Sequence, residues 1–382
     1  VRVYLIPVSF GFGPAALATA VARQLRVQCP QSLPIGVADG IALDFLGASG
    51  LFDRTLEKAA PGRLPESMRD DHGAVAVFFA DFDRLVEARA HGCLRTVMVD
   101  PLYWMWDRDP IEPLEADRYF ALAFPGVSER IAQRGEAARS VRLIPQIVDL
   151  DLPLPAAQRS GTVLNLGGAV APSGDSTRYL RTLIRVVAGL VEDDHGLLVT
   201  CSAMAAARIG SDLPTGVMVA ALPFDQMMRE LGTRARLLTL PGQSIMWEAL
   251  RMRIPTIVLP GANYSQHRQV GAYQRYFSGA EFITWDDFTG YATLPAGLPE
   301  DQGVARAAQL GDRLAEDDEA RARLGKRLAE ILATGPVALP VLRDGHPWSS
   351  FAGAAEVARE IMHLAETAAE PGSAHDHRRL HG

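Results

Sequence analysis

The sequence predicts an α/β fold of two doubly wound parallel sheets, and three observations carry that prediction. Short apolar runs of buried type alternate with helical stretches along most of the chain, the pattern of a parallel sheet covered on both faces. A strand, a glycine loop and a helix open the chain and recur after residue 161. Between the halves lies DLDLPLPAAQRSG, whose prolines and lack of periodicity read as an interdomain linker. A chain of 382 residues also exceeds what one simple core holds, so two domains are expected.

The first strand is expected over 3–8, followed by a Gly11-Phe12-Gly13 loop and a helix begun by Pro14. This opening also has the marks of a secretory signal: Arg2, an apolar core and small residues near Ala18. Leu17, Val21 and Leu25 recur at helical spacing and the pattern runs on through Arg23 and Arg26, which favours strand and helix. Strands at 41–46, 74–80, 96–99, 119–124 and 141–144 continue the first half.

The second half restarts with a strand over 162–166, then Gly167-Gly168, then a helix from Ser176. Strands at 196–201 and 217–220 precede Leu222-Pro223-Phe224 and a short helix, DQMMREL. The segment 235–273 then reads as a strand at 237–240, a Pro241-Gly242 turn, a helix at 244–253 and a strand at 254–259. That order is a right-handed crossover, and ligands of such sheets sit at the carboxyl ends of the strands. Charged helical sequence fills 305–332, and an amphipathic helix spans 352–368. The expected domains are 1–150, a linker at 151–160, 161–345, a final helix within 346–370 and a polar tail at 371–382.

Two features of the crossover are chemical. Gly242, Gln243 and Ser244 open a helix, where unpaired amides and the positive end of the helix dipole seat an anion. Glu248 lies one turn on among Ile245, Met246, Trp247, Ala249 and Leu250, and a carboxylate accepts hydrogen bonds from both hydroxyls of a ribose. Phosphate and ribose together imply a nucleotide. In the first half Asp81 and Asp100 follow apolar strands, so each is a candidate general base at the cleft, Asp100 ahead of Asp81. Capping a following helix is the ordinary role of such acids. Asp81 and Asp83 also form an Asp-x-Asp, but Asp107/Asp109 and Asp149/Asp151 repeat that spacing, so no metal site is expected.

Composition narrows the partners. A net charge of −7 argues against a nucleic-acid surface, which needs clustered Lys and Arg. Cys29, Cys93 and Cys201 are odd in number and far apart, with no CxxC pair, so neither a disulfide framework nor a zinc site is indicated, and a reducing cytoplasm fits best. No run of 18 apolar residues exists, so no membrane span is expected. Self-association is left open.

The run PGQSIMWEALRMRIPTIVLP resembles the donor-site signature of GT-B glycosyltransferases, the MurG type above all. The resemblance implies two Rossmann-like domains facing each other across a cleft, with the final helix crossing back onto the first domain. It implies a nucleotide-diphosphate sugar as donor, UDP-sugar favoured, with Glu248 on the ribose and Gly242, Gln243 and Ser244 near the diphosphate. It adds Gly167 and Gly168 near the diphosphate, and Leu222 and Phe224 near the base. Gly11 and Gly13 form the N-terminal glycine loop. The segment SQHRQVGA resembles the loop that contacts the donor sugar, which brings in His267, Arg268 and Gln269. It departs from the usual form, since Arg268 falls on the family's Gln and Gly271 on its Asn, and Gln266 or Gln269 can substitute. The catalytic His that many such enzymes of natural-product biosynthesis carry in the first loop is absent.

The function expected is metal-independent, inverting sugar transfer from that donor to a small-molecule acceptor, with no cofactor. Two other readings keep the same donor residues: a nucleotide-sugar hydrolase or epimerase, and a non-catalytic nucleotide-sugar-binding or activator subunit.

Overall fold

The computed structural model describes the chain apart from residues 59–62, 93, 107–114, 150, 153–155, 169–175, 192–195, 211, 292–293, 296, 335–340, 343–349 and 370–382. Cys93, the Asp107/Asp109 pair and the expected tail therefore lie outside the described residues. The first sheet comprises β1 (Arg2–Pro7), β2 (Leu33–Ala38), β3 (Arg54–Glu57), β4 (Val75–Phe79), β5 (Arg95–Asp100), β6 (Arg118–Leu122) and β7 (Val141–Ile144). All seven are parallel, in the order β3-β2-β1-β4-β5-β6-β7. Central strands such as β4, VAVFF, are buried at every residue because helices cover both faces: α1 (Gly13–Gln28), α2 (Gly40–Ala48), α3 (Glu66–Arg69), α4 (Phe82–His91) and α5 (Val127–Arg134).

The strand expected over 41–46 is instead part of α2, and the strand is β2, just before it. A short apolar run such as IALDFL does not distinguish strand from buried helix by periodicity. Here Gly40, at φ +49°, turns the chain, and Ile41, Ala42 and Leu46 become the buried face of a helix. Pro34 and Gly36 mask β2 in the sequence, because both weaken a strand pattern. Packing demands Gly36: a Cβ there would stand 3.0 Å from Leu46 and 3.3 Å from Phe52 and Thr55.

The second sheet contains β8 (Thr162–Asn165), β9 (Leu197–Thr200), β10 (Val217–Ala220), β11 (Arg236–Thr239), β12 (Thr256–Val258) and β14 (Glu281–Phe282). It too is parallel, in the order β10-β9-β8-β11-β12-β14. Its helices are α6 (Thr177–Ala188), α7 (Ala203–Ile209), α8 (Phe224–Thr233), α9 (Gln243–Met252) and α10 (Tyr264–Tyr276). A short antiparallel pair, β13 (Phe277–Ser278) with β15 (Val341–Leu342), lies beside it. The charged stretch expected as helical is two helices, α11 (Glu300–Glu316) and α12 (Asp318–Ala333). Asp317 makes the break, its carboxylate accepting from the Ala320 amide 2.8 Å away and capping α12.

The last helix, α13 (Gly353–Ala369), packs on the first domain, where Val357, Ala358 and Ile361 join the core of α1 and β4. Burying each of Val357 and Ile361 contributes about 1.5–3 kcal/mol. Glu360 adds ion pairs to Arg118 at 3.0 Å and Arg142 at 2.5 Å. The domains also share a core in which Trp247, Tyr273 and Phe277 of the second meet Phe124 of the first. Arg23 of α1 ties the linker and the second domain together through Asp149 at 2.7 Å and Asp225 at 3.2 Å. Among the described residues no helix is long and apolar enough to cross a membrane.

Candidate active site

The carboxyl ends of both sheets border one cleft of about 230 Å³. Its second-domain wall begins at α9. Gly242 is the N-cap with extended backbone and no side-chain cap, so the first amides of α9 have no side-chain acceptor. α10 differs: Asn263 caps it, accepting from the Gln266 amide at 2.9 Å. The Gln243 amide group lines the cleft with both polar atoms buried and, among the described residues, without a hydrogen-bond partner. An uncapped helix terminus with a buried amide that has no partner among the described residues is suited to seat an anion.

The remaining glycines meet this terminus. Gly13 begins α1 so close to α9 that a Cβ on it would lie 3.6 Å from Ser244 Oγ. Gly167 stands at φ +63°, and its N–H donates to Asn165 Oδ1 at 3.2 Å. Asn165 is itself held by Thr200 and Thr239, at 3.2 and 3.1 Å. Gly168 touches the first domain directly, since a Cβ there would stand 2.7 Å from Gly11 Cα and 2.9 Å from Ile41 Cδ1. Both glycine loops thus pack backbone to backbone, and any side chain at Gly168 would force the domains apart.

Glu248 lines the same cleft from α9, 6 % exposed. Burial, with a smaller contribution from Asp149, pushes its carboxyl up to about 8. Leu222 and Phe224 line the β10 end of the cleft. Of α10, the face carrying Ser265, Gln266 and Gln269 points in.

His267 and Arg268 are not on that face, which corrects their expected place beside the donor. They line a separate cavity of about 510 Å³ on the other side of α10. Arg268 donates to the Met105 carbonyl at 3.0 Å and stacks 5.6 Å from the Trp104 ring, and burial lowers the His267 pKa. The physical reason is helical phase: 266 and 269 share one face, while 267 and 268 lie on another.

Neither candidate base reaches the cleft. Asp100 is fully buried, and its oxygens accept from Tyr119 Oη at 2.7 Å, Leu102 N at 2.8 Å and Trp106 Nε1 at 2.9 Å. It fastens the turn after β5; burial raises its pKa to about 6 against those three bonds. Asp81, 3 % exposed, is consumed by Lys58 at 2.9 Å and Arg84 at 3.1 Å. Asp83 is exposed on α4 and does not share a site with Asp81. Among the described residues no cluster of three potential metal ligands occurs. Among the described residues lining the cleft, Glu248 and Cys201 are the titratable side chains, and burial raises the Cys201 thiol to about 12.

No protein-family model matches the sequence, and no curated protein matches it. Solved structures do. S. aureus MnaA, in a co-structure with UDP, superposes with a TM-score of 0.52 at 12 % identity, over 96 % of this chain and 97 % of that one. Arabidopsis thaliana UGT89C1, complexed with UDP, superposes with a TM-score of 0.50 at 11 % identity, over 94 % and 99 %. The fold is GT-B. MurG of Acinetobacter baumannii is also matched, at 13 % identity over 95 % of this chain and 99 % of that chain, with a TM-score of 0.45. Within the GT-B frame the cleft just described is the one between the two Rossmann-like domains, and α13 is the helix that returns to the first of them.

Sequence reasoning passed over Asn165, Phe12 and Phe45, which line the cleft; Gln266, expected as a substitute for the family's Gln, lines it too. Gln266 with Gln269 had a readable signal, two amides at i,i+3 on one helix. Phe12 and Phe45 had none, because hydrophobic residues near helix starts are ordinary.

Proposed function

We propose that this GT-B protein is a glycosyltransferase that takes a nucleotide-diphosphate sugar, UDP-sugar favoured, as donor. The observation that carries the proposal is the buried Glu248 carboxylate together with the Gln243 amide, unpartnered among the described residues, beside the uncapped N-terminus of α9. Strand order supports an orientation for the donor. The diphosphate lies over the middle of the sheet, at Gly167 after β8 and Gly242 after β11, with Glu248 on the ribose. Phe224, after β10, lies three strand spacings or about 14 Å from β11, on the base side. Gln266 and Gln269, after β12, lie one spacing away on the other side, where their amides suit sugar hydroxyls.

The leaving diphosphate gains charge in the transition state, and amides already oriented at α9 stabilise that charge without reorganising. No metal is required by this arrangement, and inversion at the anomeric carbon follows from the MurG resemblance. The first-domain wall, with Val8, Phe10, Pro101 and Leu122, is apolar and suits an apolar small-molecule acceptor. Since Asp100 and Asp81 are both committed elsewhere, a second reading has support: a protein that binds the nucleotide sugar without transferring it.

The test is a thermal-shift screen with UDP, dTDP, ADP and GDP and their sugars in EDTA, followed by product assays with candidate acceptors and with donor alone. Stabilisation by a nucleotide with acceptor-dependent turnover is expected. Sugar release without acceptor points to a hydrolase, binding without turnover to the second reading, and stabilisation by none of the ligands overturns the donor assignment.

A further inference from the structure

Three half-buried phenyl rings cross the cleft at its β10 end. Phe12, the residue before α1, has its ring centroid 5.3 Å from Phe45 of α2, and Phe45 lies 5.7 Å from Phe224 of the second domain. All three line the cleft, so none is sealed in a core. Phe45 is held there by its own helix. One turn earlier on the same face, Ile41 packs against the Gly168 loop, with its Cδ1 2.9 Å from where a Cβ of Gly168 would be. α2 therefore spans the donor site, with Ile41 over the glycine loop and Phe45 over Phe224.

Building on the donor reading above, we infer that the nucleobase of the donor is held between Phe45 and Phe224, so that the first domain supplies half of the base site. A flat base between two rings needs two contact layers, about 7 Å in all, against the present 5.7 Å. The cleft, at about 230 Å³, is also below the roughly 300–1,000 Å³ of most small-molecule sites. Entry of the base thus widens the gap between Phe45 and Phe224 by about 1–2 Å and turns the two rings, now inclined at 52°, toward parallel, so that they stack on it from either side. Stacking suits a base here, since Leu222, Met227 and Met228, next to Phe224 in the chain and lining the cleft with it, are apolar.

Calorimetry with UDP, dTDP, ADP and GDP, and with pyrophosphate as a base-free probe, tests the assignment on Phe45→Ala, Phe45→Leu, Phe45→Trp and Phe224→Ala. Phe45→Leu keeps apolar volume without a ring and guards against a folding defect in the alanine variant. Loss of one stacking partner raises Kd of the best nucleotide about ten-fold in Phe45→Ala and in Phe224→Ala. Phe45→Leu is expected to fall between, Phe45→Trp to restore binding, and pyrophosphate affinity to stay within two-fold throughout. Parent-like nucleotide affinity in both Phe45→Ala and Phe45→Leu overturns the inference, as does an equal loss for pyrophosphate. If the parent binds none of the four nucleotides, the donor reading fails and the base site with it.

Discussion

Two buried acids occupy comparable settings in the two domains, and their difference separates architecture from chemistry. Asp100 ends β5 and Glu248 lies one turn into α9; burial raises the first to about 6 and the second to about 8. Asp100 accepts from three donors, which is what an ionised, acceptor-only carboxylate requires. Among the described residues no donor is hydrogen-bonded to Glu248, and its burial is correspondingly uncompensated. A raised pKa alone ranks both as functional candidates. Their partners separate them: the satisfied acid holds a turn, and the unsatisfied one is the acid that the donor reading proposed above uses.

The largest expected effect would break this comparison on the structural side. Asp100→Ala strands the Tyr119 hydroxyl, the Trp106 indole N–H and the Leu102 amide, and is expected to cost about 3–5 kcal/mol of stability, read by urea denaturation. A variant as stable as the parent would show that the three bonds do not hold the turn. Glu248→Gln is next: nucleotide affinity falls by about 1.5–3 kcal/mol in calorimetry, because the amide forfeits the charge-assisted bonds, while the melting temperature does not fall. Unchanged affinity in the folded variant removes Glu248 from the ribose.

Titration sharpens the same contrast. The Glu248 pKa is raised on folding, so between about 4.5 and about 8 the native state holds a proton that the unfolded state has released. Its contribution to stability is therefore present below pH 4.5 and lost as pH rises through 8. The melting temperature of Glu248→Gln should gain on the parent from pH 5 to pH 8; parallel curves would mean that Glu248 is not held neutral. If the bound ribose meets an ionised carboxylate, nucleotide binding near pH 7 expels about one proton, read as a buffer dependence of the calorimetric enthalpy. The smallest effect concerns Gln243→Ala, which removes an amide with no hydrogen-bond partner among the described residues. Nucleotide affinity should drop by about 0.5–1.5 kcal/mol with stability unchanged, and a stability loss without an affinity loss would make Gln243 a packing residue.

Much of the architecture was legible because its signals are local. The Pro-Gly turn, the apolar runs and the helical spacing around Glu248 place β11, α9 and β12 to within two residues or so of where they lie. The same holds for β10, whose bounds agree with the sequence expectation. The carboxylate of Glu248 was conspicuous because its immediate neighbours, Ile245, Met246, Trp247, Ala249 and Leu250, are all apolar.

What the tertiary structure alone decided are the directions in which side chains point and the partners they find at a distance. Asp100 stopped being a base because Tyr119 comes from the neighbouring strand β6, a pairing no window around residue 100 contains. His267 and Arg268 left the donor side because Tyr264, Val270 and Tyr273 bury the other positions of α10 and so set its rotation about its axis. Phe45 met Phe224 across 179 positions of sequence because α2 leans over the glycine loop of the other domain. Local sequence specifies which elements form, whereas the face each one shows to a cleft depends on packing against residues that are near in space and far along the chain.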